Sequence, residues 1–330
     1  MSEKVKGGWQ VEPRRTVTAG LRYLRRPDVR RAPARLVLRR ADFEIRRLIG
    51  GDRLGRPRTF SLPGGTRVTA CLDDCVGRSL YIYGTYEWAS ARLLEDLLHP
   101  GGVFVDVGAH VGSLALPAAR RVGPEGLVVA FEPNGRAREQ LVSGVRASRV
   151  ANVVVLGVGL ADRDLRAVLR PGGDGNSGMT RLIEAGGPAG RGRSGGGVEC
   201  RTLDGIRPEI ALPPVDVLKV DVEGWEARVL QGARGLIADD RPAVVFEVNG
   251  LRADGGSWHS PAMDWLHEEG YALFGMGPGG AAALRRLWPG EDPRPFEEPW
   301  LALNLVAFHP DRPLASFADA DRRVLRAAAS

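Results

Sequence analysis

The sequence has few cysteines, and this scarcity narrows the classes of protein it can belong to. Its 330 residues include only Cys71, Cys75 and Cys200, too few and too scattered for a disulfide framework. No histidine or second cysteine pair stands near Cys71 and Cys75 at the spacing of zinc ligands. We therefore interpret all three cysteines as incidental and expect a reducing, cytoplasmic location.

Long apolar runs are also missing. No stretch of about 18 uninterrupted apolar residues occurs, so we expect no transmembrane segment. The first residues, MSEKVKGGWQVEPRR, lack an apolar stretch after their positive charges, so we expect no secretory signal. Apolar residues make up 43% of the chain, which suffices for a well-buried α/β domain with additions.

Positive charge is concentrated in the first 50 residues. They contain 14 Lys and Arg against 5 Asp and Glu, a local charge of +9, whereas the whole chain carries +6. Such an arm can bind nucleic acid or an anionic membrane surface. Because nearly all of these residues are arginines in a chain rich in Arg, Ala and Gly, we favour a solvated surface that reflects a GC-rich coding sequence.

The N-terminal third predicts additions before the main domain. Residues 34–49 place apolar side chains at helical spacing among arginines, which predicts an amphipathic helix packed on the main domain rather than on a membrane. Residues 58–62 and 67–72 flank Pro63-Gly64-Gly65 and predict a hairpin. A helix is predicted over 87–98, with Thr85 near its start.

From residue 103 onward, short apolar runs alternate with helical patterns. This alternation is typical of a parallel sheet covered by helices on both faces. A polar, glycine-rich loop is predicted over 171–197. The predicted strands are 103–107, 127–131, 153–158, 215–220, 243–248, 271–274 and 303–308, and the predicted helices are 114–121, 135–148, 227–236 and 263–269.

The first chemical motif is a glycine turn after the strand 103–107. Asp106 precedes Gly108, Ala109, His110 and Gly112 at a strand-to-helix junction, which in open α/β sheets is where ligands bind. Gly108 permits close approach to a ligand, and Gly112 permits close packing as the helix begins. The G-x-x-x-G spacing is not the G-x-G-x-x-G that holds a pyrophosphate, which argues against a nicotinamide oxidoreductase.

The second motif is a carboxylate at the end of the next strand. Glu132 follows Asp106 by about one βαβ step and can accept both hydroxyls of a ribose. A nucleoside bound without a pyrophosphate fits S-adenosylmethionine.

The third motif groups charged residues around the ends of two later strands. Lys219 and Asp221 alternate along one strand, Glu223 follows, and Glu247 ends the next strand. A lysine within an apolar strand needs a partner, which Asp221 or Glu223 can supply. The group is either a structural salt-bridge network or a cluster that binds substrate and serves as base.

Together these segments resemble the FkbM family of S-adenosylmethionine-dependent methyltransferases. The resemblance runs from about residue 78 to 249, so the first 50 residues lie outside it. It includes YGTYE from residue 83, FVDVGAHVGSLALPAARRVGPEGLVVAFEP from 104, NVVV from 152, NSGM from 176, RTLD from 201, LKVDVEGWEARVLQGA from 218 and FE from 246.

The resemblance implies the class I, Rossmann-like methyltransferase fold. This is an α/β fold whose mostly parallel sheet has seven strands, the last antiparallel, with helices on both faces. We accordingly divide the chain into a basic, partly disordered arm with its helix (1–50), a hairpin packed on the core (51–80), the methyltransferase domain (81–310) and a C-terminal tail (311–330).

The resemblance also implies a cofactor site. The turn with Asp106, Gly108, Ala109, His110 and Gly112 would surround the methionine part of S-adenosylmethionine, where the family usually has Asn in place of His110. Glu132 would hold the ribose, and Asp162 would lie near the adenine.

Members of the family characteristically methylate hydroxyls, often of sugars or natural products, so we expect a small-molecule acceptor. Lys219, Asp221, Glu223 and Glu247 are the catalytic candidates, and a divalent cation held by some of these carboxylates would acidify the hydroxyl. Three further candidates for substrate binding are Tyr86 and Glu87, from a lid, and Ser177, from the 171–197 loop.

Two other functions compete with this one. A nucleic-acid methyltransferase would use the basic arm, but the Asn/Asp-Pro-Pro-aromatic run of amino-group enzymes is replaced here by Asp221-Val222-Glu223-Gly224. A non-catalytic binding module would not need acidic residues at every cofactor position, and this chain has them.

Overall fold

A computed structural model describes residues 33–50, 54–171, 176–185, 197–254, 257–276, 284–293 and 304–312. The disorder predicted within the basic arm, most of the predicted tail and part of the 171–197 loop lie outside these residues.

The described elements follow the predicted alternation of strands and helices. The helices are α1 (Pro33–Gly50), α2 (Cys75–Tyr83), α3 (Trp88–Leu97), α4 (Ala115–Val122), α5 (Gly135–Ser148), α6 (Leu203–Ile206), α7 (Glu226–Gln231), α8 (Arg234–Asp240) and α9 (Pro261–Glu268). The strands are β1 (Arg58–Ser61), β2 (Arg67–Ala70), β3 (Val103–Val107), β4 (Leu127–Phe131), β5 (Val153–Leu156), β6 (Gly159–Leu160), β7 (Leu165–Arg170), β8 (Arg181–Glu184), β9 (Val198–Arg201), β10 (Val217–Val220), β11 (Ala243–Glu247), β12 (Arg252–Asp254), β13 (Ser257–His259), β14 (Ala272–Gly275), β15 (Arg285–Leu287) and β16 (Asn304–Phe308).

The central sheet has the strand order β15-β14-β16-β11-β10-β3-β4-β5. The strands from β11 to β5 are parallel, and β16 runs antiparallel to both of its neighbours. The mostly parallel sheet with an antiparallel late strand is confirmed. The expected count of seven strands is wrong, because β15 pairs antiparallel with β14 at the edge. With two arginines in three residues, β15 has no apolar run that would predict it.

Helices cover both faces of this sheet. Successive side chains of a strand point to opposite faces, so Phe104 packs in one core cluster and Val105 in the other. The first cluster includes apolar side chains of α3, α4 and α5, and the second includes those of α7, α8 and α9. With both faces covered, every residue of β3, β10 and β11 is buried, so their polar members need partners within the fold.

The N-terminal additions contain the predicted hairpin and an unpredicted helix. β1 and β2 pair antiparallel around a turn at Pro63–Gly65, as predicted. The sequence VGRSLYIY forms most of α2. It is rich in β-branched and aromatic residues, which are not typical of a helix, so no helix was predicted there. Asp74 begins this helix by accepting the N–H groups of Val76 and Gly77.

Two further differences lie downstream. A second sheet, in the order β6-β9-β7-β8, includes a strand within the predicted 171–197 loop. The single helix predicted over 227–236 is two helices, α7 and α8. The chain turns between them at Gly232, where a Cβ would stand 1.9 Å from the carbonyl oxygen of Ala161.

None of the helices in the described residues is both long and apolar enough to cross a membrane.

Candidate active site

The carboxyl ends of the central strands meet at one edge of the sheet, and the predicted site residues gather there. Lys219 on β10 is aligned with Asp106 on the parallel strand β3. β4 runs directly into Glu132, and β11 ends at Glu247. The parallel arrangement therefore brings together four charged residues that are far apart in the sequence.

The glycine turn after β3 is required by packing. Gly108 and Gly112 both have φ of 82°, a left-handed conformation that favours glycine. A Cβ at Gly108 would lie 1.9 Å from the carbonyl oxygen of Asp221, and one at Gly112 would lie 2.4 Å from Cδ1 of Leu141. Gly112 thus serves close packing, as predicted. Gly108 admits the backbone that follows β10, a reason different from the predicted approach to a ligand.

The turn between these glycines is tied to the end of β4. The N–H groups of Gly108 and Ala109 donate to the carbonyl oxygen of Phe131. His110 has φ of 50°, a conformation that His and Asn adopt more readily than most residues. This shared tolerance gives a physical reason why His110 can stand where the family usually has Asn.

Glu132 organises the two loops on either side of it. Its Oε2 accepts the N–H of His110 at 2.7 Å, and its Oε1 accepts the N–H of Asn134 at 2.8 Å. Burial raises the pKa of Glu132 to about 7, although these two donors oppose the shift. Each carboxylate oxygen has a second lone pair, so Glu132 can still accept hydrogen bonds from the two hydroxyls of a ribose.

Lys219 is the buried cation of the site. Its Nζ lies 3.2 Å from Asp221 Oδ2, 3.6 Å from Asp106 Oδ1 and 4.0 Å from Glu87 Oε1. Burial alone would lower the pKa of Lys219, but these three carboxylates outweigh it and hold the pKa well above its ordinary value. Of the two partners predicted for Lys219, Asp221 is therefore correct and Glu223 is not.

Glu87 and Tyr86, which were predicted to belong to a lid, lie at the same site. Glu87 stands against Lys219, and burial raises its pKa to about 7. Burial also raises the pKa of Tyr86, and the nearby charges of Glu87, Asp221 and Glu223 add to the effect. The sequence predicted substrate binding for both residues, and this remains a prediction.

Three carboxylates form a second cluster beside Lys219. Asp221, Glu223 and Glu247 each offer one oxygen, and these three oxygens lie within 4.8 Å of one another. Burial and then the charge of Asp221 raise the pKa of Glu223 to about 7. Burial, followed by the charges of Asp221, Glu223 and Glu226, raises the pKa of Glu247 to about 9. At neutral pH this cluster therefore holds protons and favours an added positive charge.

Glu226 fixes the loop that carries Glu223. Its Oε1 accepts the N–H groups of Val222 and Gly224 and the side-chain amide of Asn249. The same amide donates to Glu247 Oε2 at 2.5 Å. Glu223 itself has φ of 55°, and its carboxylate lies 4.0 Å from Arg181.

Ser177 connects a distant loop to the glycine turn. Its hydroxyl lies 2.7 Å from Nε2 of His110, and its N–H donates to Oδ1 of Asp74 at 2.7 Å. Burial lowers the pKa of His110, which favours a neutral imidazole at this contact. Ser177 thus touches a residue of the predicted cofactor loop, although its predicted contact with substrate is untested.

A cavity of about 480 Å³ opens beside these loops. His110 and Asn134, whose N–H groups hold Glu132, both line it. Arg136, Gln140 and Asn176 add polar side chains to its wall. Its size and its mixed lining suit a small polar molecule.

Asp162 lies in a different set of contacts. Its carboxylate accepts from Arg228 Nε at 2.6 Å and from Arg163 Nη1 at 2.8 Å. The guanidinium of Arg228 also stacks on Trp225. The predicted contact of Asp162 with adenine is therefore untested, and its described partners are arginines.

Several residues of the site were not singled out from the sequence. Glu226 and Asn249 lie within or beside the quoted motifs, so their acidic and amide types at the strand ends were an available signal. Asp74 and Arg181 had none, because their contacts join segments far apart in the chain.

The residues present fit S-adenosylmethionine. Among the described residues, neither buried oxygen of Asp106 has a hydrogen-bond partner. A carboxylate placed beside a glycine turn in this way suits the ammonium group of the cofactor's methionine. Glu132 offers the acceptors that a ribose needs.

Comparisons with known proteins identify the family of the chain. The family model of the methyltransferase FkbM domain matches residues 106–273, about half of the chain. The AMB antimetabolite synthetase AmbE of Pseudomonas aeruginosa is 28% identical over 209 residues, which cover 54% of this chain and 10% of that protein. The chain thus spans about a tenth of the length of this curated relative.

Solved structures also match the chain. A methyltransferase FkbM from Methylobacillus flagellatus has 14% identity and a TM-score of 0.42, with 68% of this chain and 48% of that chain covered. The fibrillarin of Aeropyrum pernix, with natively bound S-adenosylmethionine, has 14% identity and a TM-score of 0.38, with 79% and 86% covered.

Proposed function

The chain belongs to the FkbM methyltransferase family, and we propose that this S-adenosylmethionine-dependent enzyme methylates a hydroxyl group of a sugar or another natural-product small molecule. The observation that carries this proposal is the cluster of Asp221, Glu223 and Glu247 beside Lys219. An alcohol becomes a good nucleophile only when a base removes its proton, and this cluster offers carboxylates for that task.

The three carboxylates support different roles. Glu223, whose pKa of about 7 lies near physiological pH, is the base we propose for the acceptor hydroxyl. Glu247, whose pKa is about 9, keeps its proton at neutral pH and can donate a hydrogen bond that orients the acceptor. Asp221 is held by Lys219, and we assign it the positioning of the acceptor beside the glycine turn.

The cofactor residues lie on the opposite side of Lys219. S-adenosylmethionine supplies the methyl group, which is carried on a sulfonium. We propose that Glu132 accepts from the ribose hydroxyls, that Asp106 pairs with the ammonium group, and that the turn from Gly108 to Gly112 follows the methionine. Enzymes of this kind gain most of their rate by aligning the two reactants and excluding water.

The acceptor we propose is a small molecule and not a nucleic acid. The carboxyl groups of the cluster and of Glu87, which lie at the proposed position of the acceptor, are neutral or negative and so cannot pair with the phosphates of a nucleic acid. The neutral hydroxyls of a sugar or similar compound can instead donate hydrogen bonds to these carboxylates.

We propose a second role for the same cluster, which is to bind a divalent cation. Oxygen donors alone are the ligands that Mg²⁺, Mn²⁺ and Ca²⁺ prefer. A cation bound by Asp221, Glu223 and Glu247 would offset both the burial and the mutual repulsion that raise the pKa values of the two glutamates.

The test is transfer of labelled methyl groups from S-adenosylmethionine to a panel of sugars and hydroxylated natural products. NMR of the product identifies the atom methylated. We expect an O-methyl product, and we expect Glu223→Gln to lower kcat at least about 100-fold, within the range of general base catalysis. Glu209→Gln, which changes an exposed glutamate paired with Arg201, is the matched control.

Methylation on nitrogen or carbon would contradict the proposal, and so would unchanged turnover in both Asp221→Asn and Glu247→Gln. Repeating the assay with EDTA and then with added Mg²⁺ tests the cation separately. Turnover that is insensitive to both treatments would remove the cation and leave the carboxylate base in place.

A further inference from the structure

Helix α1 has two apolar faces, and only one of them packs on the part of the protein that the structure describes. Phe43 is buried and Leu36 packs against the same core cluster. The Asp42 carboxylate accepts from the hydroxyl of Tyr81 on α2, and Arg39 stacks on the ring of Tyr81. These contacts fix the orientation of α1 on the domain.

The opposite face carries large apolar side chains in solvent. With 3.6 residues per turn, these positions fall within about 120° of the helix circumference and form one stripe. Its members are between 54% and 80% exposed, and they are Val37, Leu38, Ile45, Leu48 and Ile49. Single exposed apolar residues are common, but a continuous stripe marks an interaction surface.

Charged pairs border this apolar stripe on both sides. By helical periodicity Asp42 and Glu44 lie next to its two edges, and the arginines that pair with them lie just beyond. Arg46 lies on one side, and Arg40 and Arg47 lie on the other, as the helical periodicity places them. Glu44 pairs with Arg40 and Arg47, and Asp42 pairs with Arg46. The helix has five arginines and two acidic residues, a net charge of +3.

The positive charge on and before α1 contrasts with the charge of the rest of the chain. The first 50 residues carry +9, so the other 280 residues together carry −3. The positive charge of the protein is therefore placed on and before the helix that exposes the stripe. Apolar residues flanked by arginines on one helix are the combination that an interface between headgroups and acyl chains accommodates.

We propose that α1 docks this protein in the plane of a membrane that contains anionic lipids. The apolar stripe would enter the headgroup–acyl boundary while Arg40, Arg46 and Arg47 contact lipid phosphates. A second copy of the helix would bring two helices that each carry a net charge of +3 against each other. A nucleic acid would leave the five apolar side chains of the stripe in water. Charge complementarity thus favours an anionic lipid surface as the occupant.

The test is sedimentation of the full chain with two kinds of vesicle, phosphatidylcholine alone and phosphatidylcholine mixed with phosphatidylglycerol. We expect binding to the mixed vesicles that weakens as salt is added. Arg40→Gln and Arg47→Gln should each weaken it about fivefold, which corresponds to about 1 kcal/mol per basic residue.

Variants of the stripe test the apolar contribution. Leu48→Ser with Ile49→Ser should weaken vesicle binding at least about tenfold, because two large side chains no longer leave water. The matched control is Val154→Ser, which changes an exposed apolar residue on β5. Ile45→Ser serves as an independent variant, and an unchanged melting temperature confirms that each variant folds.

Three results would overturn the proposal. One is equal binding, or no binding, to the neutral and anionic vesicles by the wild type. Another is full vesicle binding by both stripe variants. The third is a dimer in sedimentation velocity, or a tight complex with an RNA oligonucleotide, that the stripe variants abolish while vesicle binding is unaffected.

Discussion

Glu132 combines a structural and a proposed ligand-binding role in one carboxylate. It is buried at the end of β4, where its two oxygens accept the N–H groups of His110 and Asn134. These hydrogen bonds offset part of the cost of burying the charge. The two loops that the carboxylate holds also line the cavity beside the site, so binding there is coupled to the position of Glu132.

Replacement of Glu132 by Ala should weaken the binding of S-adenosylmethionine by about 10- to 100-fold. The change removes hydrogen bonds to a charged group, and the net loss of about one such bond, worth about 1.5–3 kcal/mol, gives this range. Calorimetric titration of the cofactor into the folded variant measures the effect. Glu125→Ala, at an exposed position before β4, should bind normally. An equal dissociation constant for Glu132→Ala and the wild type would refute the assignment of the ribose.

At the scale of elements, the turn between β3 and α4 is shaped by its neighbours. Gly108 lies against the backbone that follows β10, and Gly112 lies against Leu141 on α5. The turn thus joins two strands and a helix, and the same backbone surrounds the proposed cofactor position. Its geometry is fixed by packing before any ligand binds, which reduces the entropy lost on binding.

Gly108→Ala should destabilise the fold more than the backbone conformation alone explains. Gly101 makes a matched comparison, since its φ is 83° and an added Cβ there meets no atom within 4 Å. We expect Gly101→Ala to cost about 1 kcal/mol. Gly108→Ala should cost at least about 2 kcal/mol more, because its Cβ collides with the Asp221 carbonyl. Urea unfolding of both variants measures the difference, and equal destabilisation would show that the contact with Asp221 is unimportant.

For the whole molecule, the site costs folding free energy because several carboxyl groups are buried in it. The pKa values of Glu87, Glu132 and Glu223 are raised to about 7, and that of Glu247 to about 9. Burial is the main cause for each, while the cation Lys219 lies within 4.0 Å of Glu87, Asp106 and Asp221 at once. The protein therefore keeps protons that its unfolded chain releases.

The free energy of unfolding should fall as the pH rises from about 4.5 toward about 9. Across this range Glu247 keeps its proton in the folded state, whereas the unfolded chain, with the ordinary pKa of 4.5, has lost it. The folded state binds more protons, so stability decreases with pH. Glu247→Gln should flatten this dependence and stabilise the protein at pH 8 by at least about 1 kcal/mol. Urea titrations at several pH values test this, and parallel curves for variant and wild type would contradict it.

The sequence alone determined seven of the eight strands of the central sheet and the strand ends that carry Asp106, Glu132, Lys219 and Glu247. These features depend on local periodicity, and parallel strands must then bring their carboxyl ends to one edge. The identification of the family followed from motifs ordered along the chain.

Only the tertiary structure decided which of these residues touch. The partner of Lys219 is Asp221, 3.2 Å away, and the ion pair of Glu223 is with Arg181. Glu87 contacts Lys219, and Ser177 contacts His110. In each pair the two residues are far apart in the sequence, so local patterns could not predict the contact. The exposed stripe of α1 follows the same rule. The sequence predicted an amphipathic helix, but only packing showed that its large apolar face lies away from the core.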